Sequence, residues 1–555
     1  MPLPWDPSAA AACRSELELR AYSSRLLGSD AELVLYGGGN TSLKGSWTTA
    51  DGLTVPCLFV KGSGADLAQV DVADFTPIAL DEARALLDAA ELDNAGLMAA
   101  LAPITLCARA PRPSIETLLH AAIPHRYVEH THADSILAIA NTRSGRALCA
   151  RVFGEHAPVV PFRHSGFDLA KVCAATHRAE ATATTIGLIL EFHGVVAFGD
   201  DARTSYENML RLVDRAECYL RSRDAWTLPE RRPSPVGYPD ALALAGLRRE
   251  LSLAAGFPMV LAVDRSATTM GFVTREDLAA LALQGPPTPQ HAVFTKRVPM
   301  LGRDVTAYVA TYREYLAAAG GDAFDASMLP DPAPRIVLDP TWGLVGASVD
   351  AAHAAMAREV YLHDIAIISR ASMHDRYVSL PPAAILLAEV HYGGFERTLR
   401  ARVPRELPLL GIVVLLRAGT GAAALAAALL DAGAAVVLAG ERVGAEGKHP
   451  KARHALVRWE AAEPRGPSDE ALSELATAFG GIDFALLSPG REAFAARLGP
   501  LLAQSPAGGA TFTLADAGRA AAREGPGTHT IGPDPGAVVA ALAEAVHARP
   551  SRIAS

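Results

Sequence analysis

The sequence predicts an α/β protein in three parts: an N-terminal α/β segment, a helix-rich middle region and a C-terminal segment of Rossmann type. Three observations predict it. Short apolar runs, "ELVLY", "CLFV", "TIGLILEF" and "VVAF", are interleaved with helical patterns over residues 1–224. The prolines of "WTLPERRPSPVGYP" then break regular structure and mark a linker. Far downstream, "GIVVLLRAGTGAAALAAALLDAGAAVVLAGE" reads as strand, glycine turn, Ala/Leu helix, strand and acidic residue, a βαβ unit.

Length and composition agree with this division. A chain of 555 residues exceeds one compact core, so two to four domains are expected. The formal net charge of −9 excludes a general nucleic-acid-binding role, which calls for a basic face, but leaves a local anion site open. The six cysteines, Cys13, Cys57, Cys107, Cys149, Cys173 and Cys218, form no CxxC pair. They read as free thiols in a reducing cytoplasm rather than as a disulfide framework. "MPLPWDPSAA" lacks a basic segment followed by an apolar core, so no signal peptide is expected. The apolar run "LPLLGIVVLL" ends at Arg417 and is too short to span a bilayer, so no membrane role is expected either.

In chain order, "ARTSYENMLRLVDRAECYL" closes the first segment with Tyr206, Met209, Leu210, Val213 and Leu220 at helical spacing. The middle region, residues 239–403, holds helical patterns and the proline-rich "MLPDPAPRIVLDP", with no motif that carries chemistry alone. The tail, residues 404–555, begins near Pro404 with the βαβ pattern.

The chemistry concentrates in the first segment. In "RYVEHTHADSI", His130 and His132 share one face if the stretch is a strand, because residues i and i+2 point the same way. They are either buried polar residues with partners or two ligands of a metal. A third candidate, His193, stands where an apolar strand ends at His193-Gly194. Three imidazoles with an open fourth position fit a catalytic zinc site better than a structural one. In "RPSIETLLH", Ser114 reads as a helix N-cap and Glu116 as a first-turn residue, either simply part of the cap or a base beside the metal. A Lewis acid beside a proton-moving carboxylate is what enolate chemistry requires. Two glycine turns offer backbone N–H groups to an anion: Gly37-Gly38-Gly39 before Asn40, and Lys61-Gly62-Ser63-Gly64.

The stretches "YSSRLLGSDAELVLYGGGNTSLKG", "FVKGSGADLA", "RPSIETLLHAAIPHRYVEHTHADSI", "SGFDLAK" and "EFHGVVAFGDDARTSYE" occur in family order over residues 20–217. They resemble the class II aldolase/adducin family, closest to the aldolase part of bifunctional rhamnulose-1-phosphate aldolase/alcohol dehydrogenases. The resemblance implies an α/β/α aldolase domain with zinc on His130, His132 and His193 and Glu116 as general acid/base. Gly39, Asn40, Ser63, Gly64 and Ser114 would bind the substrate's phosphate. It implies reversible cleavage of a ketose 1-phosphate to dihydroxyacetone phosphate and an aldehyde, lactaldehyde if the sugar is rhamnulose 1-phosphate. It also implies a cytoplasmic homo-oligomer, commonly a tetramer, with sites at subunit contacts. One departure falls at "VPFRHSGF", where the family has a "VPYIRPGF"-like stretch.

The larger departure is in the tail. In the bifunctional relatives this part is a short-chain dehydrogenase whose chemistry needs a Tyr and a Lys four residues apart. Here no tyrosine follows Tyr392, and the last lysines, Lys448 and Lys451, sit in a polar loop. Gly419, Gly421 and Glu441 stand where a nucleotide would bind, without the full glycine pattern. The expectation is a degenerate Rossmann-like domain: NAD binding stays open, but no residue is left to move its proton. Three other readings are weighed. One is an epimerase or dehydratase of the same superfamily, one a non-catalytic adducin-like scaffold. The third is a Schiff-base aldolase with Lys61 as nucleophile.

Overall fold

The computed structural model describes residues 4–403, 405–417, 422–440, 454–458, 468–487, 492–514, 528–531 and 534–547. Contacts divide the chain into two compact units: Met1–Leu228 with Pro287–Gln290 and His363–Leu380, and the remainder. The break at Leu228 falls inside the proline-rich linker.

The first unit is built on seven strands: β1 (Asn40–Thr48), β2 (Thr54–Lys61), β3 (Phe75–Ala79), β4 (Tyr127–Thr131), β5 (Val159–Val160), β6 (Gly187–Leu190) and β7 (Gly194–Gly199). Their order in the sheet is β3-β2-β1-β4-β7-β6-β5. All pairs are antiparallel except β5 with β6. Alternating side chains feed two cores, one on each face. Val128, Leu188, Val196 and Phe198 pack with Leu118, Leu119, Leu169 and Ala170 of the helices Thr117–Ala122 and Phe167–Glu180. Ile189, Val195 and Ala197 pack on the other face with residues of the helices Glu16–Gly28, Asp134–Ala140 and Ala202–Ser222. The helical spacing read in the last of these is therefore a buried stripe: Tyr206, Met209, Val213 and Leu220 all lie in that core. Its start is fixed by Asp201, whose carboxylate accepts from the Thr204 amide.

Strand β4 is pinned by a charge pair. Glu129 is fully buried and receives both terminal nitrogens of Arg20, at 2.8 and 2.7 Å, and the Ser205 hydroxyl at 2.7 Å. By alternation Glu129 and His130 point to opposite faces, so this pair holds the strand from behind the histidine.

"ELVLY" is not a strand. Residues 31–36 form turns that are not paired into the sheet, yet Leu33, Val34 and Leu35 are buried. Their carbonyls explain why: Glu32 and Leu33 accept from the backbone of Asp134 and His132. A short apolar run reads as a strand by periodicity whether its backbone pairs with a sheet or with a loop.

The second unit holds two sheets. β8 (Val260–Asp264), β9 (Met300–Leu301), β10 (Ile336–Asp339) and β11 (Gly343–Ser348) form a four-stranded sheet in the order β8-β11-β10-β9. The sequence expectation of a helix-rich middle missed this sheet, because its strands are two to six residues long and lie among stronger helical signals. The other sheet has β12 (Val413–Arg417), β13 (Ala435–Gly440), β14 (His454–Arg458), β15 (Phe484–Leu487), β16 (Ala510–Leu514) and β17 (Thr528–Ile531). It is parallel throughout, in the order β14-β13-β12-β15-β16-β17, the doubly wound Rossmann order. Middle and tail share a core, and buried Arg248 pairs with buried Asp483 at 2.7 Å. Gly419, Gly421, Glu441, Lys448 and Lys451 lie outside the described residues. The chain is thus a mixed α/β protein, and among the described residues no helix is long and apolar enough to cross a membrane. All six cysteines are free; Cys57, Cys149 and Cys173 are buried and Cys218 is exposed.

Removing Arg20 alone strands a buried carboxylate, so Arg20→Met is expected to cost about 3–5 kcal/mol of folding stability. The urea midpoint measures this; a midpoint equal to that of the unaltered protein would show that Glu129 is not held by Arg20.

Candidate metal centre

His130 is the fourth residue of β4 and His132 follows its last paired residue. His193 sits at the tip of the β6–β7 hairpin, one residue before Gly194. The strand register explains the meeting: Thr131 stands opposite Val195, so the hairpin tip lies beside the end of β4. The approach is close enough that a Cβ on Gly194 would lie 2.2 Å from the Thr131 carbonyl oxygen, which is why the tip carries glycine there. The three imidazoles are buried, with ring centroids 4.8 to 5.1 Å apart. Each offers a ligand atom within 4.8 Å of the others.

Hydrogen bonds decide which nitrogens face inward. His130 Nδ1 lies 3.0 Å from the Val195 carbonyl, which can only accept, so Nδ1 carries the proton and Nε2 presents a bare lone pair. Gln290 settles His132 in the same way. Its Nε2 donates to the Leu35 carbonyl at 2.6 Å, so its Oε1 faces His132 Nδ1, which must donate. The bare Nε2 atoms of His130 and His132 then confront each other at 3.1 Å. Two lone pairs at that separation repel unless a cation lies between them. Two nitrogens bound to one tetrahedral zinc at 2.0–2.1 Å stand about 3.3 Å apart. His193 Nδ1 and Glu116 Oε1 are buried polar atoms with no hydrogen-bond partner. The donor set and its spacing therefore fit zinc.

Glu116 adjoins the cluster, its carboxylate oxygens 3.2 Å from His193 Nε2 and 3.5 Å from His130 Nε2. The helix begins at Thr117, so Glu116 occupies the cap position itself rather than the first turn. Ser114 accepts from the Glu116 amide at 3.2 Å, and its carbonyl accepts from the Thr117 amide and hydroxyl. Burial alone would raise the Glu116 carboxyl, but the His130 and His193 rings and the Asn40 amide outweigh it and hold the group well below the usual carboxylate range.

Asn40 stands directly across from His130 in the sheet. Its Nδ2 donates to Glu116 Oε2 at 2.6 Å and to Ser114 Oγ at 3.3 Å, and its Oδ1 accepts from His120 Nε2. The other nitrogen of His120 then accepts from Ser42 Oγ at 2.8 Å. His120 went unnoticed in the sequence; its only signal was its place four residues after Glu116, on the same helical face. Ser42 reads in the sequence as a short polar side chain of the glycine loop that can bond an anion, whereas its hydroxyl here meets His120. Gln290 was missed as well, since nothing in its neighbourhood reads as a motif.

The two glycine turns meet. A Cβ on Gly37 would lie 3.3 Å from Gly64 Cα, and Lys61 Nζ donates to the carbonyls of Gly37 at 3.1 Å and Ala65 at 2.6 Å. Gly62 bridges to Pro113, and the Ser63 amide donates to Arg112 at 2.8 Å, which brings the Ser63-Gly64 turn beside Ser114. Gly39 has a φ of +58°, and a Cβ there would lie 2.7 Å from the His130 carbonyl oxygen. Ser63 and Gly64 are exposed, whereas Asn40 and Ser114 are buried and bonded to Glu116.

Burial keeps these rings neutral, the form that ligates. It lowers His130 to about 4 and holds His120 and His132 well below the usual imidazole range. In the metal-free protein the unfolded chain takes up protons from about pH 6.5 downward while these folded rings resist. Stability therefore falls as pH drops from there toward the folded value of His130. Urea midpoints of the chelator-treated protein at pH 7 and pH 5 test this; a midpoint that does not drop at pH 5 refutes it.

Two family models match the chain: the class II aldolase and adducin N-terminal domain over residues 18–220, and the second domain of class II aldolase over residues 239–398. A protein of Bacillus subtilis (strain 168) named "Uncharacterized oxidoreductase YuxG" is 29% identical over 396 residues, 68% of this chain and 57% of that protein. The chain thus spans less than two thirds of that curated relative's length. Among solved structures, the N-terminal class II aldolase domain of a conserved protein from Thermoplasma acidophilum is 35% identical. It matches over 40% of this chain and 100% of its own length, with a TM-score of 0.37. A sugar-phosphate aldolase from Thermotoga maritima is 16% identical over 39% of this chain and 98% of its own, with a TM-score of 0.29. On the strength of the two consecutive family models, this chain belongs to the class II aldolase/adducin family.

Proposed function

We propose that the chain is a zinc-dependent aldolase that cleaves a ketose 1-phosphate, rhamnulose 1-phosphate by its sequence resemblance, to dihydroxyacetone phosphate and lactaldehyde. The observation that carries the reading is the pair of bare imidazole nitrogens 3.1 Å apart, with His193 and the Glu116 carboxylate closing on them. His130, His132 and His193 would hold the ion. When bound, zinc supplies a Lewis acid for the substrate's carbonyl oxygen.

Glu116 moves the proton. In the condensation direction its carboxylate removes a proton from C3 of dihydroxyacetone phosphate, and the aldehyde oxygen takes up a proton from solvent as the C3–C4 bond forms; in cleavage the C4 hydroxyl gives its proton to solvent as that bond breaks, and Glu116 then returns a proton to C3. The Asn40 amide, 2.6 Å from Glu116 Oε2, holds the carboxylate in place and stabilises its charged form. The converging turns would present the Gly39 and Gly64 N–H groups and the exposed Ser63 hydroxyl to the phosphate. Three imidazoles and a carboxylate gathered in one buried site are expensive to maintain without chemistry, which weighs against an adducin-like scaffold. The Schiff-base alternative has little support: burial lowers Lys61 to about 8, but two carbonyls hold its amine in the glycine turns.

The tail is proposed as a dehydrogenase-like fold without dehydrogenase chemistry. Its parallel sheet has the nucleotide-binding order, and the Bacillus relative is named an oxidoreductase. No tyrosine follows Tyr392, so the alcohol's proton has no carrier of the usual kind.

The decisive experiment incubates the zinc-loaded protein with a panel of ketose 1-phosphates and assays dihydroxyacetone phosphate. Glu116→Gln is expected to retain zinc and lose about 100-fold or more in turnover; wild-type turnover in that variant would remove Glu116 as the base. With lactaldehyde and NAD no reduction of NAD is expected, and a robust rate would show that a proton carrier exists.

A further inference from the structure

We infer that Gln290, 158 positions along the chain from His132, is a positioning residue for the metal centre. The inference rests on the zinc reading and adds to it a residue from the stretch matched by the second-domain family model.

Pro287–Gln290 belongs to the same compact unit as the three histidines. The segment is anchored there, because Asn141 Nδ2 donates to the Pro287 carbonyl at 2.8 Å and Pro287 and Thr288 are buried. Gln290 then closes a ring of hydrogen bonds around the turn at residues 31–36. The His132 amide donates to the Leu33 carbonyl at 3.0 Å. Gln290 Nε2 donates to the Leu35 carbonyl at 2.6 Å, and Gln290 Oε1 accepts from His132 Nδ1. Backbone and ring of His132 are thus both tied to one turn.

The amide cannot be reversed without setting its oxygen against the Leu35 carbonyl oxygen. Its orientation therefore dictates the tautomer of His132: Nδ1 holds the proton and Nε2 is left free for the ion. A ligating histidine whose other nitrogen is so held is more basic and better aimed than a free one. Gly38 supports the same conclusion. A Cβ there would lie 2.1 Å from Gln290 Nε2, so the middle glycine of "GGGN" leaves room for this amide.

Zinc affinity of the full chain, measured by competition with a chromophoric chelator, tests the role without reference to turnover. Gln290→Leu keeps the shape and removes the acceptor; it is expected to weaken zinc binding about 10–100-fold. Gln290→Glu restores an oxygen toward His132 Nδ1 but sets its other oxygen against the Leu35 carbonyl, so it is expected to bind zinc more tightly than Gln290→Leu and less tightly than the unaltered protein. Gly38→Ala, which displaces the amide from the other side, is expected to behave like Gln290→Leu. Unchanged affinity in Gln290→Leu overturns the inference, as does equal weakening in Gln290→Leu and Gln290→Glu, which would show that the acceptor to His132 Nδ1 plays no part. Failure of the unaltered protein to take up zinc is a separate result, and it removes the metal reading itself.

Discussion

Two imidazole nitrogens with their lone pairs aimed at each other, 3.1 Å apart in a buried site, are the constraint around which the first unit is organised. Like lone pairs do not settle at that distance unless something positive is meant to stand between them. Each ring is forced into this state by an acceptor on its far side, the Val195 carbonyl for His130 and the Gln290 amide oxygen for His132. Those acceptors are in turn held by the sheet register and by the turn at residues 31–36. The polar site is thus specified by backbone and side-chain amide hydrogen bonding, with two non-glycine residues beside it, Tyr36 in the turn and Phe192 next to His193, held at positive φ.

Charge in this unit is handled in two ways. Glu129 and Glu116 are both buried carboxylates, on opposite sides of the same sheet region. Glu129 is neutralised by a two-pronged Arg20 and has no capacity left for chemistry. Glu116 receives a single side-chain amide on one oxygen, while the other faces His193 without a hydrogen bond. The first pattern holds a strand in place; the second leaves a carboxylate free to exchange a proton. The chain from Ser42 through His120 and Asn40 to Glu116 is oriented throughout: each donor's direction follows from the previous acceptor, and the last donor meets the carboxylate. Asn40 thus serves the base as well as any phosphate its own turn would bind.

Much of this was legible in the residues. The period-two spacing of His130 and His132 was enough to place them on one face, and the helical spacing of Tyr206, Met209, Val213 and Leu220 was enough to mark the long helix. "ELVLY" misled because a run of four apolar residues looks alike in a strand and in a buried turn whose carbonyls serve another segment. The middle sheet was hidden by the brevity of its strands. The Ser114–Glu116 stretch was read correctly as a helix start but displaced by two residues, with Glu116 rather than Ser114 at the cap, the usual scale of error for a helix boundary.

By itself the sequence determined the α/β character, the linker, the histidine pair on one strand face and the parallel βαβ tail, because each follows from local periodicity, capping or turn chemistry. Tertiary structure decided which distant residues join them. His193 arrives through a hairpin in register with β4, His120 through a helix laid against β1, and Gln290 from 158 positions away through a short segment packed on Asn141. No local rule encodes such meetings, because a hydrogen bond between distant segments depends on the path of the chain between them.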